Sequence, residues 1–144
     1  MRQKGRSGQV VVEMMLMLPI FFSIVFTIME IGYVSFHLIV LNHATYEVAR
    51  IGGMSGSASG NVDCGRMGEI MKEIIPTGTV GCDTADTLTD PQSGQGNKDL
   101  IITGTNKVKL IFPVSSLILA KPKGTGERVL QSVVRMPIET PLLK

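Results

Sequence analysis

Tryptophan is absent from this 144-residue chain, and aromatic residues of all kinds make up only 5% of it. A surface on which bases stack needs several such rings among basic side chains, so a nucleic-acid platform is excluded. There are only two histidines, His37 and His43, six positions apart. On a helix that spacing turns them to different faces, which argues against a shared metal ion. No glycine loop of the mononucleotide or dinucleotide type is present to cradle a phosphate. Gly56-Ser57-Ala58-Ser59-Gly60 has the outline of a nucleophile elbow, but Ala58 holds the central position and no strand precedes it. Asp83, Asp86 and Asp90 fit no calcium-loop spacing and read as a solvated acidic loop. The chain thus offers no catalytic constellation, no metal site and no cofactor cradle, and it does not read as an enzyme.

Charge is nearly balanced, and its placement says more than its sum. Of 14 basic residues three, Arg2, Lys4 and Arg6, precede Gly8, so the rest of the chain carries 11 against 12 acidic residues. Directly behind this basic start, Val10 to Met29 is a run of twenty residues in which Glu13 is the only charge. At a rise of about 1.5 Å per residue, such a helix matches a hydrocarbon core of about 30 Å. Basic residues on its N-terminal side keep that end in the cytoplasm and send the rest of the chain outward. A secretory signal peptide has a shorter apolar region, about 7–15 residues, followed by a small-residue cleavage site. Here the run is longer and no Ala-x-Ala follows, so the span stays in the mature protein.

Glu13 is costly in that setting, by about 2.5–3.5 kcal/mol at a span centre and less near its end. An acid at a helix start gains only about 0.3–1 kcal/mol from the dipole. A partner is called for, and a cut between Gly8 and Gln9 on the cytoplasmic side would create one, the α-amino group of Gln9. Methionines 14, 15, 17 and 29 spread around the helix, which suits adaptable packing against other helices better than a soft-metal site. Pro19 falls inside the span and should bend it or free a carbonyl, as is tolerated where helices pack.

Beyond the span the apolar positions Ile31, Val34, Leu38, Leu41 and Val48 keep helical spacing, with Ser35, Asn42 and Glu47 between them. Arg50 suits a last turn and Gly52-Gly53 a stop, so one helix of about 60 Å is expected from Gln9 to Ile51. Glu30, near the outer boundary, reads either as solvated or as a contact between subunits. Met54 to Asn61 reads as a connector, Arg66 to Ile75 as a short helix ending before Pro76, and Thr77 to Asn97 as an extended loop. Strands are expected at Leu100–Thr103, Lys107–Phe112, Ser116–Leu119 and Arg128–Met136, the first two joined by a turn at Asn106-Lys107. The fold class is α+β. It divides into a basic leader (1–8), a transmembrane and projecting helix (9–52), and a small head with a short helix and an antiparallel sheet (53–144). The only cysteines, Cys64 and Cys82, lie in the part expected outside. There a disulfide between them would persist and contribute on the order of 3 kcal/mol.

Four segments in order within the first third carry a resemblance: Gly8-Gln9-Val10-Val11-Val12-Glu13, Leu18-Pro19, Met29-Glu30-Ile31-Gly32, and Ala44-Thr45-Tyr46-Glu47-Val48-Ala49-Arg50. Together, over about residues 7 to 50, they resemble the TadE-like minor pseudopilins of tight-adherence (Flp) pili. The chain departs from that pattern at Met14, where an aromatic is usual, and at Tyr46, which is often basic. The resemblance implies cleavage by a prepilin peptidase between Gly8 and Gln9, with Glu13 as the fifth residue of the mature protein. It implies assembly roles for Glu13, Pro19 and Glu30, and no cofactor. The partners implied are the inner membrane, the peptidase, other pilin and pseudopilin subunits and the pilus assembly platform. A signal-anchored periplasmic binding or adhesion module that is not cut at Gly8 stays open, as does an anchored enzyme.

Overall fold

The computed structural model describes residues 6–59, 62–86, 98–112 and 118–138. The fold is α+β: α1 (Arg6–Ser59), α2 (Cys64–Ile74), β1 (Thr79–Asp86), β2 (Lys98–Lys109) and β3 (Glu127–Ile138). The strands form one antiparallel sheet in the order β1-β2-β3. By its contacts the chain makes two compact units, one of Met1–Ser35 with Lys109–Arg128, the other of Phe36–Val108 with Val129–Lys144.

Helix α1 runs through Pro19 without a break. Proline has no N–H, so the carbonyl of Met15 loses its usual donor there. The expected stop at Gly52-Gly53 does not occur, and the supposed connector from Met54 is helical as far as Ser59. Space, not termination, explains Gly52. A Cβ built on it would lie 2.2 Å from Cε of Met67 and 2.9 Å from Cδ2 of Leu100. Glycine costs about 1 kcal/mol against alanine in a helix, and here it lets α2 and β2 close on α1.

The core of the second unit grows from that contact. Leu41, Ala44, Thr45, Val48, Ala49 and Gly52 form a buried stripe on α1 at steps of three and four. Against it stand Met67 and Met71 of α2 and Leu100 and Ile102 of β2, all buried. Each large side chain so buried contributes about 1.5–3 kcal/mol. Gly104 of β2 meets the stripe most closely, since a Cβ there would fall 2.2 Å from Oγ1 of Thr45. The Thr45 hydroxyl is satisfied within its own helix, donating to the carbonyl of Leu41 at 2.7 Å.

Several expected elements differ. The two strands expected around Asn106-Lys107 are one continuous strand, β2, whose burial alternates through Leu100, Ile102, Gly104, Asn106 and Val108. Asn106 does not turn the chain because its side chain points inward and accepts a hydrogen bond from Thr77 Oγ1 at 2.8 Å. Of the loop expected from Thr77 to Asn97, residues 87–97 lie outside the described residues, and Thr79–Asp86 is instead β1, paired antiparallel with β2 through Val80 opposite Gly104, Cys82 opposite Ile102 and Thr84 opposite Leu100. As an edge strand, mostly exposed and polar, it carries little hydrophobic pattern of its own. Helix α2 starts at Cys64, two residues before its expected start, because Asp63 caps it: Oδ1 accepts from the N–H of Gly65 (3.0 Å) and of Arg66 (3.2 Å). Strand β3 covers the expected Arg128–Met136. Of the strand expected at Ser116–Leu119, Ile118 and Leu119 are helical and the rest lies outside the described residues. Asp90 lies outside them too.

Candidate functional site: an apolar helix and its charged positions

The first unit holds the residues on which the functional expectation rests. Gly8 is exposed, and a Cβ there would meet nothing within 4 Å. One turn along, the amide of Gln9 donates to Glu13 Oε1 at 3.2 Å on the open surface. This is an exposed i,i+4 pair inside α1, two turns past the helix start at Arg6, so the side-chain hydrogen bond and not the helix dipole is its local support. Val10, Met14, Met17 and Phe21 surround Glu13 with apolar surface. From Gly8 to Phe22 every side chain is exposed, Pro19 included.

That exposure decides the character of the helix. Gly8–Ser55 is long and apolar enough to cross a membrane, and none of its most apolar 18-residue window is buried within the protein's own fold. At about 25 cal/mol per Å² of apolar surface, leaving so many large side chains in water is untenable. A bilayer would cover them, and by length and composition the segment is suited to anchor the chain in a membrane.

Glu30 departs from the sequence expectation. It is not solvated but 1% exposed. Its Oε1 accepts from the N–H of Ile111 at 2.9 Å and its Oε2 from the N–H of Phe112 at 3.1 Å. A carboxylate holding two backbone donors is a bidentate, charge-assisted clamp. Phe112 reinforces it by stacking on Phe26 (ring centroids 4.7 Å apart, 13° between planes), and Phe26 stacks in turn on Phe22. Sequence reasoning missed the clamp because its two halves are more than eighty residues apart. The one available signal was an acid followed at once by renewed helical periodicity.

Cys64 is exposed and Cys82 half-buried, and they are not bonded to one another. They are neighbours nonetheless: burial, a hydrogen bond with Cys64 and the charge Cys64 would carry push the Cys82 thiol up to about 12. Its Sγ also donates to Met67 Sδ at 3.7 Å. Among the described residues no three His, Cys, Asp or Glu side chains gather as a metal site would require.

The architecture is therefore one long helix, apolar enough to cross a membrane, followed by a short helix and a three-stranded antiparallel sheet. Residues 8–50 match the family model described as TadE-like protein, in line with the resemblance that this segment carries. No curated protein and no solved structure matches the chain. The matched segment ends in the Ala44–Arg50 stretch, whose Ala44, Thr45, Val48 and Ala49 are the buried stripe facing β2 and α2. Small side chains there permit the close approach to Gly104.

Proposed function

We propose that this chain is a minor pseudopilin, cut by a prepilin peptidase between Gly8 and Gln9 and then taken into, or priming, a tight-adherence pilus for surface attachment. The observation that carries the reading is a single carboxylate, Glu13, within the apolar stretch Val10–Phe22 of α1, every residue of which is exposed, little more than a turn beyond an unobstructed Gly8. Arg2, Lys4 and Arg6 favour a single-pass arrangement in the bacterial inner membrane, N-terminus cytoplasmic and remainder periplasmic. Cleavage frees the α-amino group of Gln9 to pair with Glu13 of a neighbouring subunit or of its own chain. Two opposite charges about 4 Å apart interact weakly in water and far more strongly in a drier setting. After desolvation the net is at most several kcal/mol. A carboxylate left alone carries its burial cost, so the pairing favours the assembled state. The chain acts by assembly with pilin and pseudopilin subunits on the pilus platform and performs no chemistry itself. In the periplasm, Cys64 and Cys82 join as a disulfide across neighbouring positions of α2 and β1.

Pilus yield, measured beside the processed fraction for Glu13→Ala and Glu13→Gln, tests the proposal. Both variants should be cut and inserted normally, then accumulate in the membrane with few or no pili. Normal piliation of both would reduce Glu13 to a helix-start residue.

A further inference from the structure

The described residues between β2 and β3, 110–112 and 118–126, are tied down by hydrogen bonds. The N–H of Leu110 donates to the carbonyl of Gly126 at 2.9 Å, and that of Lys121 to Glu127 at 3.0 Å. The guanidinium of Arg128 donates to the carbonyl of Leu119 at 3.2 Å. Thr125 closes the turn onto the carbonyl of Pro122 at 2.8 Å, with Gly124 and Gly126 in the left-handed region that glycine favours. Glu30 holds this arm to α1 through Ile111 and Phe112. Glu30 directly follows the Val10–Met29 run, which at about 1.5 Å per residue spans about 30 Å, so the clamp marks the level where the hydrocarbon ends.

What the arm turns outward is unusual for a surface in water. Ile111 is 62% and Ile118 73% exposed. Lys109, Lys121 and Lys123 are exposed as well, and Glu127 is the only acid from 109 to 128. The Phe22–Phe26–Phe112 stack carries the apolar surface of the span directly onto the arm. Apolar tips amid lysines, at the end of a membrane helix, have the chemistry of an interfacial element.

We propose that the described part of this arm, residues 109–112 and 118–128, docks on the bilayer surface at the far end of the span and binds anionic phospholipid. Ile111 and Ile118 enter the boundary between headgroups and acyl chains, and Lys109, Lys121 and Lys123 meet the headgroup phosphates. Each lysine near an anionic surface favours contact by about fivefold. The arm thereby sets the depth of the helix in the bilayer. The proposal rests on the membrane-anchor reading of α1.

The chain contains no tryptophan, so Ile118→Trp installs a sole indole at a site with room for it. The full chain is reconstituted in phosphatidylcholine–phosphatidylglycerol vesicles whose lipids carry bromine either near the carbonyl or deep in the acyl chain. The expected result is blue-shifted emission quenched more by the shallow bromines than by the deep ones. Adding Lys121→Glu and Lys123→Glu should abolish the gain in quenching that phosphatidylglycerol brings. Ile20→Trp, inside the span, is the companion and should be quenched best by deep bromines. Water-like emission at position 118 without quenching, while the companion is quenched, overturns the proposal and leaves the anchor reading intact. Protection that grows with the protein-to-lipid ratio overturns it in favour of a second copy of this chain. A companion quenched by neither lipid overturns both readings together.

Discussion

Replacing Glu30 by glutamine keeps the side chain's length but turns one of its two acceptors into a donor. The N–H groups of Ile111 and Phe112, at 2.9 and 3.1 Å, then compete for one carbonyl oxygen, and one of them faces an NH₂. Each hydrogen bond to a charged group nets about 1.5–3 kcal/mol, and a buried donor left unmet costs about 1–3 kcal/mol. Glutamine is neutral, so part of this loss is offset by the carboxylate desolvation that no longer has to be met. The side chain is 1% exposed, which leaves no room for water to restore the missing bond. A net loss of about 1–3 kcal/mol in closing the arm follows. Amide hydrogen exchange on the full chain in lipid nanodiscs reads it directly, because these two amides are protected only while the arm is closed. Ile111 and Phe112 should exchange roughly fivefold to a hundredfold faster in Glu30→Gln. Ile102, in the core of the other unit, should keep its wild-type rate. Unchanged exchange at Ile111 and Phe112 would refute the clamp.

Gly104→Ala should destabilise by about 1–3 kcal/mol in a thermal melt, because its Cβ would fall 2.2 Å from Thr45 Oγ1 and 3.2 Å from Met71 Cε. Thr45→Ala in the same chain should recover part of that loss, and strict additivity of the two changes would show that they do not touch. Gly52→Ala should cost less, since the obstacle is chiefly the flexible Cε of Met67. For the cysteines, peptide maps of the exported protein should show Cys64 linked to Cys82. After reduction, Cys64 should alkylate first near neutral pH, because the Cys82 thiol is pushed up to about 12. The same shift sets a stability slope in the reduced chain. Between the ordinary thiol value, about 8.5, and about 12 the unfolded chain releases this proton and the folded chain keeps it, so stability falls as pH rises through that window. A slope no smaller in Cys82→Ser would contradict the assignment.

Local pattern made the membrane helix, α2 and β3 legible in the sequence. Twenty apolar residues with one charge announce a span, and the spacing from Ile31 to Val48 announces its continuation. Elements fixed by distant partners were not legible. Gly52 looks like a terminator until Met67 and Leu100 are seen against it, and Asn106 looks like a turn residue until Thr77 supplies its hydrogen bond. Strand β1 carries threonines, aspartates and a glycine, and exists because β2 offers it a ladder. For the candidate site the same division holds. Gly8, Gln9 and Glu13 lie within one turn or two of each other, so sequence spacing alone brings them together. The clamp on Glu30 joins α1 to a segment more than eighty residues away, and no periodicity encodes that distance. The meeting of Cys64 with Cys82 was anticipated from export and not from geometry, and the structure places them side by side as thiols.

The central claim is that the chain is a processed pseudopilin, and the mass of its N-terminal peptide from native membranes tests it most directly. Cells that express the peptidase should yield a chain beginning at Gln9, with a slower-migrating uncut form only when Gly8 is replaced by a bulky residue such as phenylalanine. A wild-type chain still carrying Met1 through Gly8 in those cells would contradict the claim and favour an uncut membrane anchor.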